Sequence, residues 1–191
     1  MSSVTLTNTI LPRSTALTKA LLITGGALYL ALLAQVSIPV PGSPVPVTGQ
    51  TLGVLLLATS YGATLGTATF ALYLLAGFAG APVFAGHGYG LDRLVGPTGG
   101  YLVGMFLASW VLGALAGRKW DQKLFSAMTT MLIGDVIIFS LGLIWLQQYT
   151  GKDWAWTFNA GLTPFIFGEV LKIAIAGTSL PTLWKLVGRS N

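Results

Sequence analysis

The chain has 191 residues, of which 53% are hydrophobic and only 8% charged, with a net charge of +5 and no cysteine. A soluble domain has nearer a quarter of its residues charged, because water must solvate its surface. Most of this surface therefore faces lipid, which points to an all-α polytopic membrane protein and leaves no room for a separate soluble module. The missing cysteines exclude disulfides and thiolate metal sites. No clustered Lys/Arg joins exposed aromatics in a polar context, so the basic excess is not a nucleic-acid surface.

Residues 1–15 read as a cytoplasmic N-terminal tail, and 16–191 as one membrane domain. The first helix runs from about Ala16 to Val36, roughly 30 Å at 1.5 Å per residue, enough to span. It stops where Pro39, Pro41, Pro44 and Pro46 remove donors and fix φ. That segment stays apolar, so it is expected to fold back over the protein.

Thr51 to Ala79 is long for one crossing and short for two full ones. Tyr61-Gly62 interrupts it, which favours a short second helix, a tight turn, and a third helix from about Ala63. Gly80 to Gly100 is glycine-rich and long for a connection, as expected of an extracellular lid or binding loop. A fourth helix spans about Tyr101 to Ala116 and a fifth Leu124 to Tyr149, its Trp145 and Tyr149 suited to an interface. The polar stretch Thr150 to Asn159 precedes a sixth from about Leu162 to Val187.

Six transmembrane helices place both termini on one side. With the N-terminus inside, the cytoplasmic face receives Arg13, Lys19, Arg118, Lys119, Lys123, Lys185 and Arg189, against Arg93 and Lys152 outside. That asymmetry supports an N-in/C-in topology and puts loop 80–100 outside, where a substrate arrives.

Ionisable residues inside membrane helices are costly and mark ligand or ion paths. Glu169 and Lys172 share one face of the sixth helix, three residues apart. Asp135 lies within the fifth, nearer the midplane. Mutual neutralisation is the plain alternative to a site for a polar ligand. In the outer loop, the Arg93 guanidinium suits a ligand carboxylate, with pairing to Asp92 as the plain alternative. The lone His87 makes no metal site, and no metal is expected. No Gly-x-x-x-x-Gly-Lys-Ser/Thr run exists, so the chain is not itself a P-loop ATPase. Ala27 and Ala31 form a small-residue stripe, used for internal packing or for a partner helix. Nothing resembles a nucleophile with its base and orienting partner, so the chain is not expected to be an enzyme.

Six stretches, in order, carry a resemblance: Ala34-Gln35-Val36-Ser37-Ile38-Pro39, Val45-Pro46-Val47-Thr48-Gly49-Gln50-Thr51-Leu52, Leu72 to Gly77, Ala81 to Phe84, Gly96 to Leu102, and Pro164 to Lys172. Together they resemble BioY, the biotin-specific substrate-binding (S) component of energy-coupling factor (ECF) transporters, over almost the whole chain after the tail. The resemblance implies the six-helix S-component fold in a prokaryotic cell membrane. It also implies high-affinity capture of biotin from outside, with a transmembrane coupling subunit and two cytoplasmic ATPases as partners. ATP is then used by the partners, and this chain needs no cofactor. Family members are also credited with limited activity alone, so a stand-alone ion-coupled or facilitative transporter is the alternative.

In that light Glu169 or Asp135 accepts the ureido N–H groups, Lys172 donates to the ureido oxygen, Arg93 engages the carboxylate and Tyr101 lines the apolar body. The Ala27/Ala31 stripe becomes a docking surface for the coupling subunit. Two positions depart from the family pattern: Glu169 stands where aspartate is usual, and Phe139 where an aromatic hydroxyl is often found.

Overall fold

The computed structural model describes residues 5–189. In chain order these form α1 (Leu6–Ile10), α2 (Ala16–Gln35), strands β1 (Ser37–Ile38) and β2 (Val47–Thr48), α3 (Gln50–Phe78), α4 (Asp92–Val95), α5 (Gly99–Ala116), α6 (Leu124–Thr150), α7 (Trp154–Gly161) and α8 (Ile166–Arg189). Five helical stretches among the described residues are long and apolar enough to cross a bilayer: Ala16–Gln35, Gln50–Phe78, Gly99–Ala116, Leu124–Thr150 and Trp154–Gly188.

The second of these is not a straight rod. Gly62 has φ 81° and ψ 174°, a backbone conformation essentially reserved for glycine, and the chain reverses there. Gln50 Nε2 donates to the Tyr73 hydroxyl at 2.7 Å, whereas a continuous helix would hold these residues about 35 Å apart. The arms on either side of Gly62 therefore run antiparallel, and the interruption expected at Tyr61-Gly62 is where the helix turns. Gly66 lets them touch: a Cβ there would lie 2.9 Å from the Ala58 Cα.

Two polar segments carry more structure than their composition suggests. Within the stretch read as a tail, Thr5 caps α1 by accepting from the Asn8 N–H at 3.4 Å. The Thr7 hydroxyl donates to the Ser60 carbonyl at 2.9 Å, tying α1 beneath the α3 reversal. In the stretch before the last helix, α6 ends on left-handed Gly151. Asp153 then accepts from the Trp156 N–H at 2.7 Å and starts α7, an N-cap that satisfies an otherwise orphaned donor.

The proline-rich segment does fold back. Its ends pair as β1 and β2, with Ser37 opposite Thr48 and Ile38 opposite Val47, and Val45 is buried. This pairing delivers the chain to the start of α3. The core is built from α3, α5, α6 and the inner face of α2, with Leu30, Leu55, Phe70, Leu112, Met131 and Ile138 almost fully enclosed. In α5, Gly104 and Gly113 bring backbones together; a Cβ would lie 2.8 Å from the Ile138 Cα and 2.3 Å from the Ala63 N respectively. At the far end of α8, the Trp184 indole donates to Asp121, which is fully enclosed in the α5–α6 connection. Burial pushes the Asp121 carboxyl above the usual carboxylate range, against the lowering effect of that hydrogen bond.

Candidate functional site

A cavity of about 590 Å³ opens at the end of the bundle where α3 and α8 begin. Pockets for small organic ligands span about 300–1,000 Å³. Its polar wall is the end of β2 and the start of α3, with Thr48, Gln50 and Thr51, together with Glu169 of α8. Its apolar wall includes Tyr101 and Met105 of α5, Phe139 of α6 and Phe165 ahead of α8. The glycine-rich connection contributes Phe84, His87, Arg93 and their neighbours to the mouth.

That connection is held from three directions. Gln35, at the end of α2, donates to the carbonyls of Val83 (3.4 Å) and Phe84 (3.2 Å) and accepts from the His87 N–H (3.0 Å). The Tyr73 hydroxyl donates to the Val83 carbonyl at 3.2 Å while accepting from Gln50. Trp145 of α6 donates to the Gly96 carbonyl at 2.8 Å. Loops normally seek water for their backbone groups; here side chains from three helices supply partners instead.

The charged pair is fully wired through one carboxylate oxygen, and the other oxygen is unpaired. Lys172 Nζ donates to the Thr48 carbonyl at 2.6 Å, Thr51 Oγ1 at 2.8 Å and Glu169 Oε1 at 2.6 Å. An ammonium has three N–H donors, so all three are committed. The Thr51 hydroxyl in turn donates to Glu169 Oε1 at 3.1 Å. Glu169 Oε2 is buried and has no partner in the structure, and Glu169 lines the cavity. Lys172 therefore neutralises and orients the carboxylate, one oxygen of which keeps no hydrogen bond.

The apolar wall is an aromatic cluster. Tyr101 meets Phe139 edge-on, with centroids 5.7 Å apart, and stacks on Phe165 at 6.4 Å. Phe139 and Phe165 are 5.6 Å apart. The Tyr101 hydroxyl is spent on the Gly161 carbonyl at 2.8 Å. Gly142 makes space for its ring, since a Cβ there would lie 2.4 Å from Tyr101 Cδ1.

Of the residues expected from the sequence, Arg93, Tyr101 and Glu169 line the cavity, and Lys172 stands behind Glu169. Arg93 is exposed at the mouth with its guanidinium over Gly88, where a Cβ would lie 2.5 Å from Nε. It makes no ion pair with Asp92; Lys172–Glu169 is the one salt bridge among the described residues. Asp135 is buried but does not line the cavity, and neither carboxylate oxygen has a partner. Ala27 is buried and Ala31 half-buried against the core. The stripe therefore packs at least in part against the core of this chain, while the side of α2 most exposed carries Leu17, Leu21, Leu28 and Leu32.

Reading for charge alone passes over Thr48, Gln50 and Thr51. The available signal was three polar side chains in four residues at the entry to an apolar helix. Phe84 and Phe165 were indistinguishable from lipid-facing aromatics.

The chain is 38% identical over 174 residues to the biotin transporter BioY2 of Lactococcus lactis, covering 88% of this chain and 92% of that protein. It is 36% identical over 165 residues to the biotin transporter BioY of Thermotoga maritima, covering 86% and 96% respectively. The fold matches that of a crystal structure of the S-component for biotin from an ECF-type ABC transporter. The TM-score is 0.80 at 23% identity, over 90% of this chain and 95% of that one. The sequence model of the BioY family matches residues 5–189. From α1 through α8, this chain belongs to the BioY family.

Proposed function

We propose that this protein captures biotin at the outer face of the membrane and delivers it inward as the substrate-binding subunit of an ECF transporter. The observation that carries this reading is the cavity's chemical gradient. Glu169, one of whose carboxylate oxygens has no hydrogen-bond partner, lies at its polar wall, aromatic rings form the other wall, and a guanidinium stands at the mouth. Biotin carries the matching sequence of groups: ureido N–H donors, an apolar bicycle and chain, and a terminal carboxylate. Its relatives' names point the same way.

In this pose Glu169 Oε2 accepts a ureido N–H, and Thr48, Gln50 and Thr51 surround the rest of the ureido ring. Because the Lys172 donors are already committed, its part is to hold the Glu169 side chain in place. Tyr101, Phe139 and Phe165 pack on the bicycle, and Arg93 pairs with the carboxylate. Six crossings with both termini cytoplasmic, counting the arms of α3 separately, put the cavity outside. The P-loop that this chain lacks is supplied by partner ATPases through a coupling subunit.

Calorimetry on the purified protein tests the reading. Biotin binds the unaltered chain tightly, and Glu169→Gln and Arg93→Ala each weaken it about ten- to a hundredfold, the worth of one charge-assisted hydrogen bond. Absence of biotin binding, or unchanged affinity in both variants, refutes it. The two partnerless oxygens of Asp135 favour a second reading, ion-coupled transport without ATPases. Biotin uptake into liposomes holding this chain alone, driven by an imposed ion gradient, decides for it.

A further inference from the structure

At the opposite end of the bundle a second cavity, of about 520 Å³, opens between the first turn of α2, the reversal of α3 and the end of α5. Two cations reach it: Lys19, in the first turn of α2, and Arg118, two residues beyond the end of α5. Neither has a carboxylate within 4.0 Å among the described residues, and no acidic side chain lines the cavity. Asp121, the one acid in the adjoining connection, is fully enclosed and turned toward Trp184. The positive charge here has no acidic counterpart among the described residues.

The recess is built by the backbone. Gly62 turns α3 back on itself with φ 81°, and Gly113 lets α5 abut that turn directly. Tyr61 lines one side, its hydroxyl fixed on the Leu22 carbonyl at 3.2 Å. Both cations stand where an apolar helix ends, the depth at which lipid phosphates lie. Basic recesses between membrane helices at that depth suit anionic headgroups.

From these observations we infer that the Lys19–Arg118 cavity binds the phosphate of an anionic phospholipid. Lys19 and Arg118 donate to the phosphate oxygens, and the apolar helix ends keep the headgroup at the membrane boundary. A lipid held there bridges α2 and α5 across the α3 turn.

Native mass spectrometry of the full chain in neutral detergent, titrated with phosphatidylglycerol or phosphatidylcholine, tests this. The unaltered protein retains phosphatidylglycerol preferentially, and Lys19→Gln/Arg118→Gln lowers that preference about tenfold or more. Arg13→Gln/Lys123→Gln, which removes two cations outside the cavity, leaves it intact. Lys19→Arg/Arg118→Lys also keeps it, so a loss from misfolding is told apart from a loss of charge. Unchanged preference in Lys19→Gln/Arg118→Gln, or an equal loss in the Arg13/Lys123 variant, overturns the assignment. Inorganic phosphate that competes as strongly as the lipid overturns it in favour of a free anion.

Discussion

Replacing Lys172 by methionine keeps most of the side chain's bulk and deletes its ammonium. The structure sets the cost. Glu169, only 7% exposed, keeps a single hydrogen bond, from Thr51, and its other oxygen already has none. Removing one partner of a buried ion pair costs about 3–5 kcal/mol, because the remaining charge is left uncompensated. Glu169→Gln is milder: the ammonium keeps Thr48 and Thr51 and finds the amide oxygen, for a loss of about 1.5–3 kcal/mol. Replacing both partners by neutral groups of similar shape is close to neutral, so Glu169→Gln/Lys172→Met recovers most of the stability lost by Lys172→Met alone. Equilibrium unfolding in mixed micelles, followed by tryptophan fluorescence, measures all three variants. The double variant also separates folding from binding, since it stays folded while losing the carboxylate proposed to hold biotin. The reasoning fails if Lys172→Met lies within about 1 kcal/mol of the unaltered protein, or if the double variant is as unstable as that single one.

Tyr101→Phe leaves the Gly161 carbonyl without its buried donor and costs about 1–3 kcal/mol of stability, read in the same unfolding experiment. Gly113→Ala forces a Cβ to 2.3 Å from the Ala63 N, a backbone-to-backbone overlap that lowers stability by about 1–3 kcal/mol or more. Gly25→Ala, where a Cβ meets nothing within 4 Å, leaves the melting temperature unchanged or raised. Asp121 gives a pH signature. Its folded pKa is raised, so the unfolded state releases the proton first, and its contribution is greatest below the unfolded pKa near 3.9. That contribution falls as pH rises toward the folded pKa and is flat above it. Asp121→Asn keeps an acceptor for the Trp184 indole and removes the titration. Its melting temperature at neutral pH is therefore equal or higher, with a flatter acid limb, and an unchanged limb contradicts the assignment.

Composition and hydropathy were enough to read the solvent, the positions of the long apolar helices and the ionisable residues within them. They also located the α3 turn, because Gly62 occupies a conformation that other residues avoid. The i, i+3 spacing of Glu169 and Lys172 put the pair on one face, and their salt bridge is local to α8. Their other partners were not legible: Thr51 lies 118 residues from Glu169, and Thr48 lies 124 from Lys172. Nor was the inward face of each helix. In water, polarity separates a helix's outer face from its core face. In a bilayer both faces are apolar, because lipid tails resemble leucine side chains. Ala27 therefore read as core or as docking surface, and Asp135 as a ligand acceptor or as one of a set of mutually neutralising charges. Only the tertiary packing, through close approaches such as Gly104 on Ile138 and Gly113 on Ala63, decided which side of each helix meets the cavity, the core or the lipid.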